Sequence, residues 1–451
     1  MDKNILILRF SCFISKCERV FILELIDIIS DRAKLYDIYG DGSPKLITIK
    51  LSNIFFSDPK TGKVVKKFTI KPKVEKHVVE YERNLLRSIS GDSLIERTSV
   101  SGEIIIKFDL ADINNDGIVE IVLLRADGIM ACYDTYGKEL WSVYKDRYVV
   151  DFCISDIDSD GYPEVVAISR MGIIYIINRK GKVFSFTLKN TYGSPSHICC
   201  YHEQDGSPRV AVLMRDGLLY FFGVTHKGKE FYKKEEKLEI LNTVNLPKTG
   251  EPVAFCRYDV DGDGVEEFIV GLSDGAVAIV NPSSGLLKSL RLEDKIAFAV
   301  PLKYLNLTGI FIGDWLGNAV IISKSTITRF DAPSKRSRLD IDGDGTREDI
   351  SVMAKRIVVR RERQELFSIE GRNYISAFNI CDINNDDCME ILLGWNSRSI
   401  SIYSCDGKRI SAISTTTVPR VILAIDIDGD QKKELLCGGD GALEIYRPPI
   451  S

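Results

Sequence analysis

Short apolar runs recur along this chain at nearly even spacing. VVDFCIS, VVAIS, IIYIIN and VFSFTL follow one another between positions 149 and 188. EILLGW, SISIYS and RVILAI do the same between 390 and 425. Each run is rich in β-branched and aromatic residues and is bounded by Gly, Asp, Asn or Ser, which is the pattern of short strands joined by tight turns. No stretch of 18 apolar residues occurs, so no membrane-spanning helix is expected. Helical spacing is confined to VEKHVVEYERNLLRSI, through Val74, Val78, Val79, Leu85, Leu86 and Ile89. This predicts a charged, partly helical insertion over residues 71–102, a candidate rim helix or docking helix for a partner.

One nonapeptide recurs between the apolar runs: acidic, any, Asp or Asn, any, Asp, usually Gly, any, any, Glu. Its full copies hold Asp112, Asn114, Asp116 and Glu120; Asp156, Asp158, Asp160 and Glu164; and Asp259, Asp261, Asp263 and Glu267. Three more hold Asp340, Asp342, Asp344 and Glu348; Asp382, Asn384, Asp386 and Glu390; and Asp426, Asp428, Asp430 and Glu434. First positions are 44 residues apart from Asp112 to Asp156, 42 from Asp340 to Asp382 and 44 from Asp382 to Asp426. A fixed period of this length marks a repeat architecture. A strand precedes each loop, a second follows its Glu, and two more come after Gly-containing turns. Four strands per period of roughly 44 residues is a propeller blade.

Three weaker copies fit the same frame: DIYGDGSPK from Asp37 to Lys45, the stretch from Tyr201 to Arg209 with only Glu203 and Asp205, and Ile296–Phe330 with no acidic loop. The fold class expected is therefore all-β: a single closed β-propeller of four-stranded blades spanning residues 1–451. Nine repeats are countable, and seven to nine blades are plausible. The last repeat stops after its third strand, and the chain begins with an unassigned one (ILILRF or RVFILEL). An N-terminal strand is expected to complete the last blade and close the ring, removing the exposed edges that invite aggregation.

Carboxylates at positions one, three and five of a tight loop converge on one point. Position seven can add its backbone carbonyl, as Tyr162 does in the copy starting at Asp156, and position nine adds a carboxylate from the next strand. Oxygen donors in such a cage suit a hard cation: Ca²⁺ first, Mg²⁺ second. An EF-hand would need a 12-residue loop and flanking helices, which the strand pattern excludes. The competing reading is an acidic turn without metal, held by Asp side chains on backbone amides. Asp387 and Gln431 replace Gly at position six and predict strained turns in those two copies. The sites are expected to be structural, since they repeat around the fold.

The nonapeptide, the strand after it and the Gly turn beyond resemble the FG-GAP (VCBS-type) repeat of integrin-α-like propellers. EILLGWNSRSISIYSCDGKRI at Glu390–Ile410 and EFIVGLSDGAVAIVNPSSGLL at Glu267–Leu287 are similar to repeats of intracellular FG-GAP proteins and BBSome propeller subunits. The resemblance runs from about residue 30 to 448. It implies a cation-bearing propeller used as a platform for other proteins. Glu at position nine, where Asp is commoner, and the three degenerate loops depart from the pattern.

Composition narrows the setting. The chain is 45% hydrophobic and 27% charged, ordinary for a globular protein. The eleven cysteines form no CxxC pair, most lie in apolar runs, and no good signal peptide opens the chain, so small buried thiols in a cytoplasmic protein are expected. No HExxH, Gly-x-Ser-x-Gly, Walker or dinucleotide fingerprint occurs. His197 and His202 flank Cys199 and Cys200 without metal-site spacing. Trp141 reads as packing between blades, and KRIVVRRERQ (355–364) as a solvated outer strand. The function expected is a non-enzymatic, calcium-stabilised scaffold binding other proteins. An extracellular adhesion or glycan-binding propeller is the alternative, and a propeller enzyme such as a polysaccharide lyase the weaker one. The formal net charge of −4 predicts no pull toward nucleic acid. It conceals an uneven distribution. Of the 64 acidic residues 22 hold positions one, three, five and nine of the six full loops, so 42 remain to face 60 Lys and Arg, a balance of +18.

Overall fold

In the computed structural model the described residues fall into short antiparallel strands, gathered in nine four-stranded sheets. They comprise the strands Glu24–Ser30, Ala33–Tyr36, Lys45–Lys50, Asn53–Ser57 and Val64–Thr69 and then residues 105–447, apart from 126, 145–147, 190, 204, 225–237, 248–249, 305–306, 325, 428–430, 432 and 440–441. The insertion expected at 71–102, the weak loop at 37–44, and Asp428 and Asp430 lie outside them. Among the described residues no helix is long and apolar enough to cross a membrane.

The fold is all-β and its unit is the propeller blade. Sheets I to VIII are up-and-down meanders in chain order, whereas sheet IX takes its fourth strand from the N-terminal part of the chain. Sheet II runs Ile105–Ala111, Glu120–Arg125, Ile129–Tyr133, Glu139–Tyr144, and sheet III Val149–Ser155, Glu164–Ser169, Ile173–Ile177, Val183–Thr187. Sheets I and IV, built from Ala33–Thr69 and Pro195–Asn245, hold two of the degenerate repeats. Sheets V to VIII cover Pro252–Arg291, Ile296–Phe330, Arg336–Glu370 and Ile375–Ser414. Sheet IX joins Val421–Ile425, Glu434–Gly439 and Ala442–Arg447 to the strand Glu24–Ser30, which pairs antiparallel with Ala442–Arg447.

The chain divides into two compact units. One holds sheets I to IV, from Lys34–Asp58 and Val64–Thr243. Here each sheet packs face to face on the next, and the period-two geometry of a strand explains the unbroken apolar runs. In the second strand of sheet III, Val165 and Ala167 enter the core shared with sheet II, while Val166 and Ile168 enter the core shared with sheet IV. Both faces need apolar residues, so alternation vanishes from the sequence. Trp141 lies in the core between sheets II and III, as its sequence context predicted. The outermost strands face solvent on one side, and Val183–Thr187 alternates half-buried and exposed residues accordingly.

The other unit holds sheets V to IX, with the strand Glu24–Ser30. Packing here departs from chain order. Sheet VI shares one core with sheet V (Ile310, Ile312 and Val320 against Ile269 and Ile279) and the other with sheet IX (Phe298, Phe311 and Ile321 against Val421, Leu436 and Ile445). Sheets VII and VIII form their own core around Ile357, Val359, Ile391 and Trp395. Glycine makes the contact between sheets VI and IX possible: a Cβ on Gly438 would lie 2.1 Å from the Phe298 ring. The stretch KRIVVRRERQ is not an outer strand. Arg356–Arg361 is the third strand of sheet VII, hydrogen-bonded on both sides, with Ile357, Val358 and Val359 buried. Its middle serves the core and its basic residues flank it, a combination the charge pattern disguised.

Candidate metal centres

Five full nonapeptides form the hairpin between the first and second strands of their sheets, the sixth lies between the paired strands Val421–Ile425 and Glu434–Gly439, and the described loop residues share one hydrogen-bond scheme. The position-one carboxylate turns back on the amides of the loop. Asp156 accepts from the N–H of Asp160 (3.1 Å) and Gly161 (3.0 Å), and Asp382 from those of Asn385 (2.6 Å) and Asp387 (3.1 Å). The position-five carboxylate accepts the amide two residues on, as Asp160 does from Tyr162 (2.9 Å) and Asp263 from Val265 (2.7 Å). These are Asx turns, which let a chain reverse tightly without a sheet ladder.

Position nine has a role the sequence reading missed. In every copy one oxygen of the Glu accepts the amide of position two: Ile113 to Glu120, Ile157 to Glu164, Val260 to Glu267, Ile341 to Glu348, Ile383 to Glu390 and Ile427 to Glu434, at 2.8–3.2 Å. All six are buried, at most 5% exposed. The extra methylene of Glu over Asp lets the head group reach across the hairpin from the first residue of the second strand. Position four was also missed. Asn115, Ser159, Gly262, Gly343 and Asn385 all sit at positive φ, between 58° and 81°. The signal was visible, because Asn and Gly tolerate that conformation best. Position six does the same through Gly117, Gly161, Gly264 and Gly345, whereas Asp387 (φ 66°) and Gln431 (φ 69°) adopt it without glycine's freedom.

The side chains converge to different degrees. Oxygens of Asp156, Asp158 and Glu164 lie within 4.8 Å of one another, and so do those of Asp259, Asp261 and Asp263, and of Asp340, Asp342 and Asp344. Asp160 stands outside its trio, and the glutamates of the latter two loops lie outside theirs. In sheets II and VIII an Asn occupies position three and turns its amide inward, Asn114 to Glu120 (2.9 Å) and Asn384 to Asp386 (3.0 Å). The acidic groups of those two loops do not gather as closely among the described residues.

Electrostatics report the crowding. Burial, reinforced by Asp158, Asp160 and Asp156, pushes the Glu164 carboxyl up to about 8. Burial first, then the neighbouring aspartates, lifts Glu120 and Glu390 to about 7, and burial also raises Glu267. An added cation would reverse that direction. The donor set of the Asp259 loop fits a hard cation: three convergent carboxylates, all oxygen, with no ion pair to any of them among the described residues. The Asp340 loop does not fit. Arg361 already lies across it, with Nη1 2.8 Å from Asp344 and Nη2 2.9 Å from Asp342 and 2.6 Å from Glu348.

Neighbouring loops are tied in series within each unit. Asn115 Nδ2 donates to the Gly161 carbonyl, and His202 Nε2 lies 3.2 Å from that of Asp156. Asn385 Nδ2 donates to the Gln431 carbonyl (2.8 Å) and Lys433 Nζ to that of Asp382 (2.6 Å). His202 thus serves a loop. No histidine or cysteine joins a potential metal group among the described residues. Cys200 Sγ lies 3.1 Å from Cys153 Sγ, between sheets III and IV.

No family model matches the chain, and no curated protein matches its sequence. Solved structures do resemble it. BBS1N, solved in complex with ARL6DN, is 12% identical, with a TM-score of 0.43 over 94% of this chain and 92% of that one. BamB from Moraxella catarrhalis is 13% identical, with a TM-score of 0.37 over 75% of this chain and 93% of its own. Sqt1 of Saccharomyces cerevisiae is 10% identical, with a TM-score of 0.38 over 73% of this chain and 93% of its own. The likeness is distant and concerns the β-sheet architecture alone.

Proposed function

We propose that this chain is a non-catalytic β-propeller of the FG-GAP (VCBS) type, that its acidic hairpin loops take divalent cations, Ca²⁺ before Mg²⁺, and that it serves as a platform for other proteins in an intracellular complex. The observation that carries this reading is the Asp259–Glu267 loop. Asp259, Asp261 and Asp263 converge within 4.8 Å, carry no ion pair among the described residues, and are mounted on a four-stranded sheet with an apolar core. Carboxylates held this close without a counter-charge repel one another, and a cation relieves that repulsion while stabilising the folded state by mass action. The rigidity of the sheets suits recognition by the loops and edges they carry. The repetition of the loop favours a structural role for the ion, since catalysis needs one constellation and a frame needs several.

The reading is tested by melting the protein in chelator and in calcium. A single site at 100-fold excess over its Kd stabilises by about 2.7 kcal/mol, so calcium should raise the Tm by several degrees. Indistinguishable curves would remove the metal from the reading. The platform is tested by size-exclusion of the tagged chain from its own cells, followed by identification of co-eluting proteins. Elution at the monomer position at every salt concentration would argue against it.

A further inference from the structure

We propose that Arg361 is the resident cation of the Asp340–Glu348 loop, so that this loop folds without a metal and excludes divalent ions. This builds on the reading of the acidic loops as cation sites. The geometry is specific. Arg361 Nε donates to Glu348 Oε1 at 2.7 Å and Nη2 donates to Asp342 Oδ2 at 2.9 Å, while Nη1 lies 2.8 Å from Asp344 Oδ2. One guanidinium therefore spans positions three, five and nine. Those are carboxylates a metal would need. Glu348 is fully buried, and a permanently charged, planar fork suits a buried carboxylate better than a mobile ammonium does.

The local fold delivers the side chain. Asp349 pairs with Arg360 across the second and third strands of sheet VII, which places Arg361 opposite Glu348. The next hairpin is unusually tight: Arg361 pairs with Gln364, and Glu362 takes φ 54°. In other sheets the same register position carries a short polar residue that heads a longer turn. It is Asp134 opposite Glu120, Asn178 opposite Glu164, Asn281 opposite Glu267 and Ser404 opposite Glu390. Asp134, Asn178 and Asn281 spend their Oδ1 on turn amides, those of Tyr136, Lys180 and Ser283. None of the four is long enough to cross the acidic loop or carries a positive charge. A tethered cation is held at high effective concentration, so a free ion must both displace it and leave its charge nearby. In sheet IX the register position is Arg447, whose side chain lies outside the described residues.

The test counts bound calcium by native mass spectrometry on the full chain, for wild type, Arg361→Gln, Asn281→Arg and the control Asn281→Ala. Asn281 Nδ2 already lies 3.1 Å from Glu267 Oε1, so an arginine there starts from the matching place. We expect Arg361→Gln to carry one ion more than wild type and to melt lower in chelator, with calcium restoring its Tm. We expect Asn281→Arg to carry one ion fewer, and Asn281→Ala the wild-type number. A wild type that binds calcium, with no difference in either variant, overturns the role of Arg361 and leaves the loops as cation sites. A wild type that binds none, with one ion gained in Arg361→Gln, upholds Arg361 and overturns the cation reading of the other loops. No ion in any variant overturns both. If Arg361→Gln fails to fold, Asn281→Arg decides the matter alone.

Discussion

The chemistry of the repeat is carried by single side chains that each do two jobs. Glu164 closes a hairpin by accepting the Ile157 amide, and in doing so it is dragged out of water beside three aspartates. Its carboxyl therefore binds a proton far more tightly in the folded chain, at about 8, than at its ordinary 4.5. Glu120 and Glu390 follow at about 7. When the folded-state value is the higher one, stability is fully present below the unfolded value and is lost as pH rises through the folded value. In chelator, the Tm should fall between about pH 5 and pH 8. With calcium bound the carboxylates are held ionised and the fall should flatten. A Tm in chelator that is level or rising across that window would contradict the assignment. Position six supplies a second residue-scale test. Asp387 sits at φ 66° with a Cβ that this conformation disfavours by about 1–2 kcal/mol. Asp387→Gly should raise the Tm by a few degrees in thermal melts, less the extra unfolded-state entropy glycine brings.

At the scale of strands and sheets, most of the fold was legible from spacing alone. Nine repeats counted in the sequence correspond to nine four-stranded sheets, and the three with degenerate loops, I, IV and VI, still fold as sheets. The reason is that the strands are defined by apolar runs buried on both faces, which survive the loss of acidic loops. What the sequence hid depends on partners distant along the chain. Arg361 reads as one of several basic residues at a strand end, and only the register opposite Glu348 reveals its target. The pairing of sheet VI with sheet IX likewise rests on shape. Gly313 and Gly438 read as strand glycines, yet both vacate space for the Phe298 ring. Gly438→Ala should overpack that contact and cost about 1–3 kcal/mol, measured by denaturant unfolding. Gly345→Ala, where a Cβ meets nothing within 4 Å, should cost only its φ 84° strain. Equal losses for the two would mean that sheets VI and IX do not meet as described.

For the molecule as a whole, the loops decide what its charge means. The formal net charge is −4, with a sequence pI near 5.8. Six loops holding divalent ions would carry it to +8. If Arg361 serves the Asp340 loop, five ions remain and the net becomes +6. About a third of the acidic groups, 22 of 64, hold the ligand positions of one kind of hairpin, so neutralising them exposes the basic balance of the remaining charges. Ions that stabilise the frame would thereby also set which partners it attracts, favouring acidic surfaces over basic ones. Ion-exchange chromatography reads this directly. At pH 7.5 in chelator the chain should bind an anion exchanger, and in millimolar calcium it should elute at distinctly lower salt. Magnesium at the same concentration controls for screening by a divalent salt, and should shift the elution less, because it gives up its waters reluctantly. Identical elution in chelator, magnesium and calcium would mean that the loops keep their carboxylates uncompensated, and the molecule would then meet its partners as a weakly acidic protein.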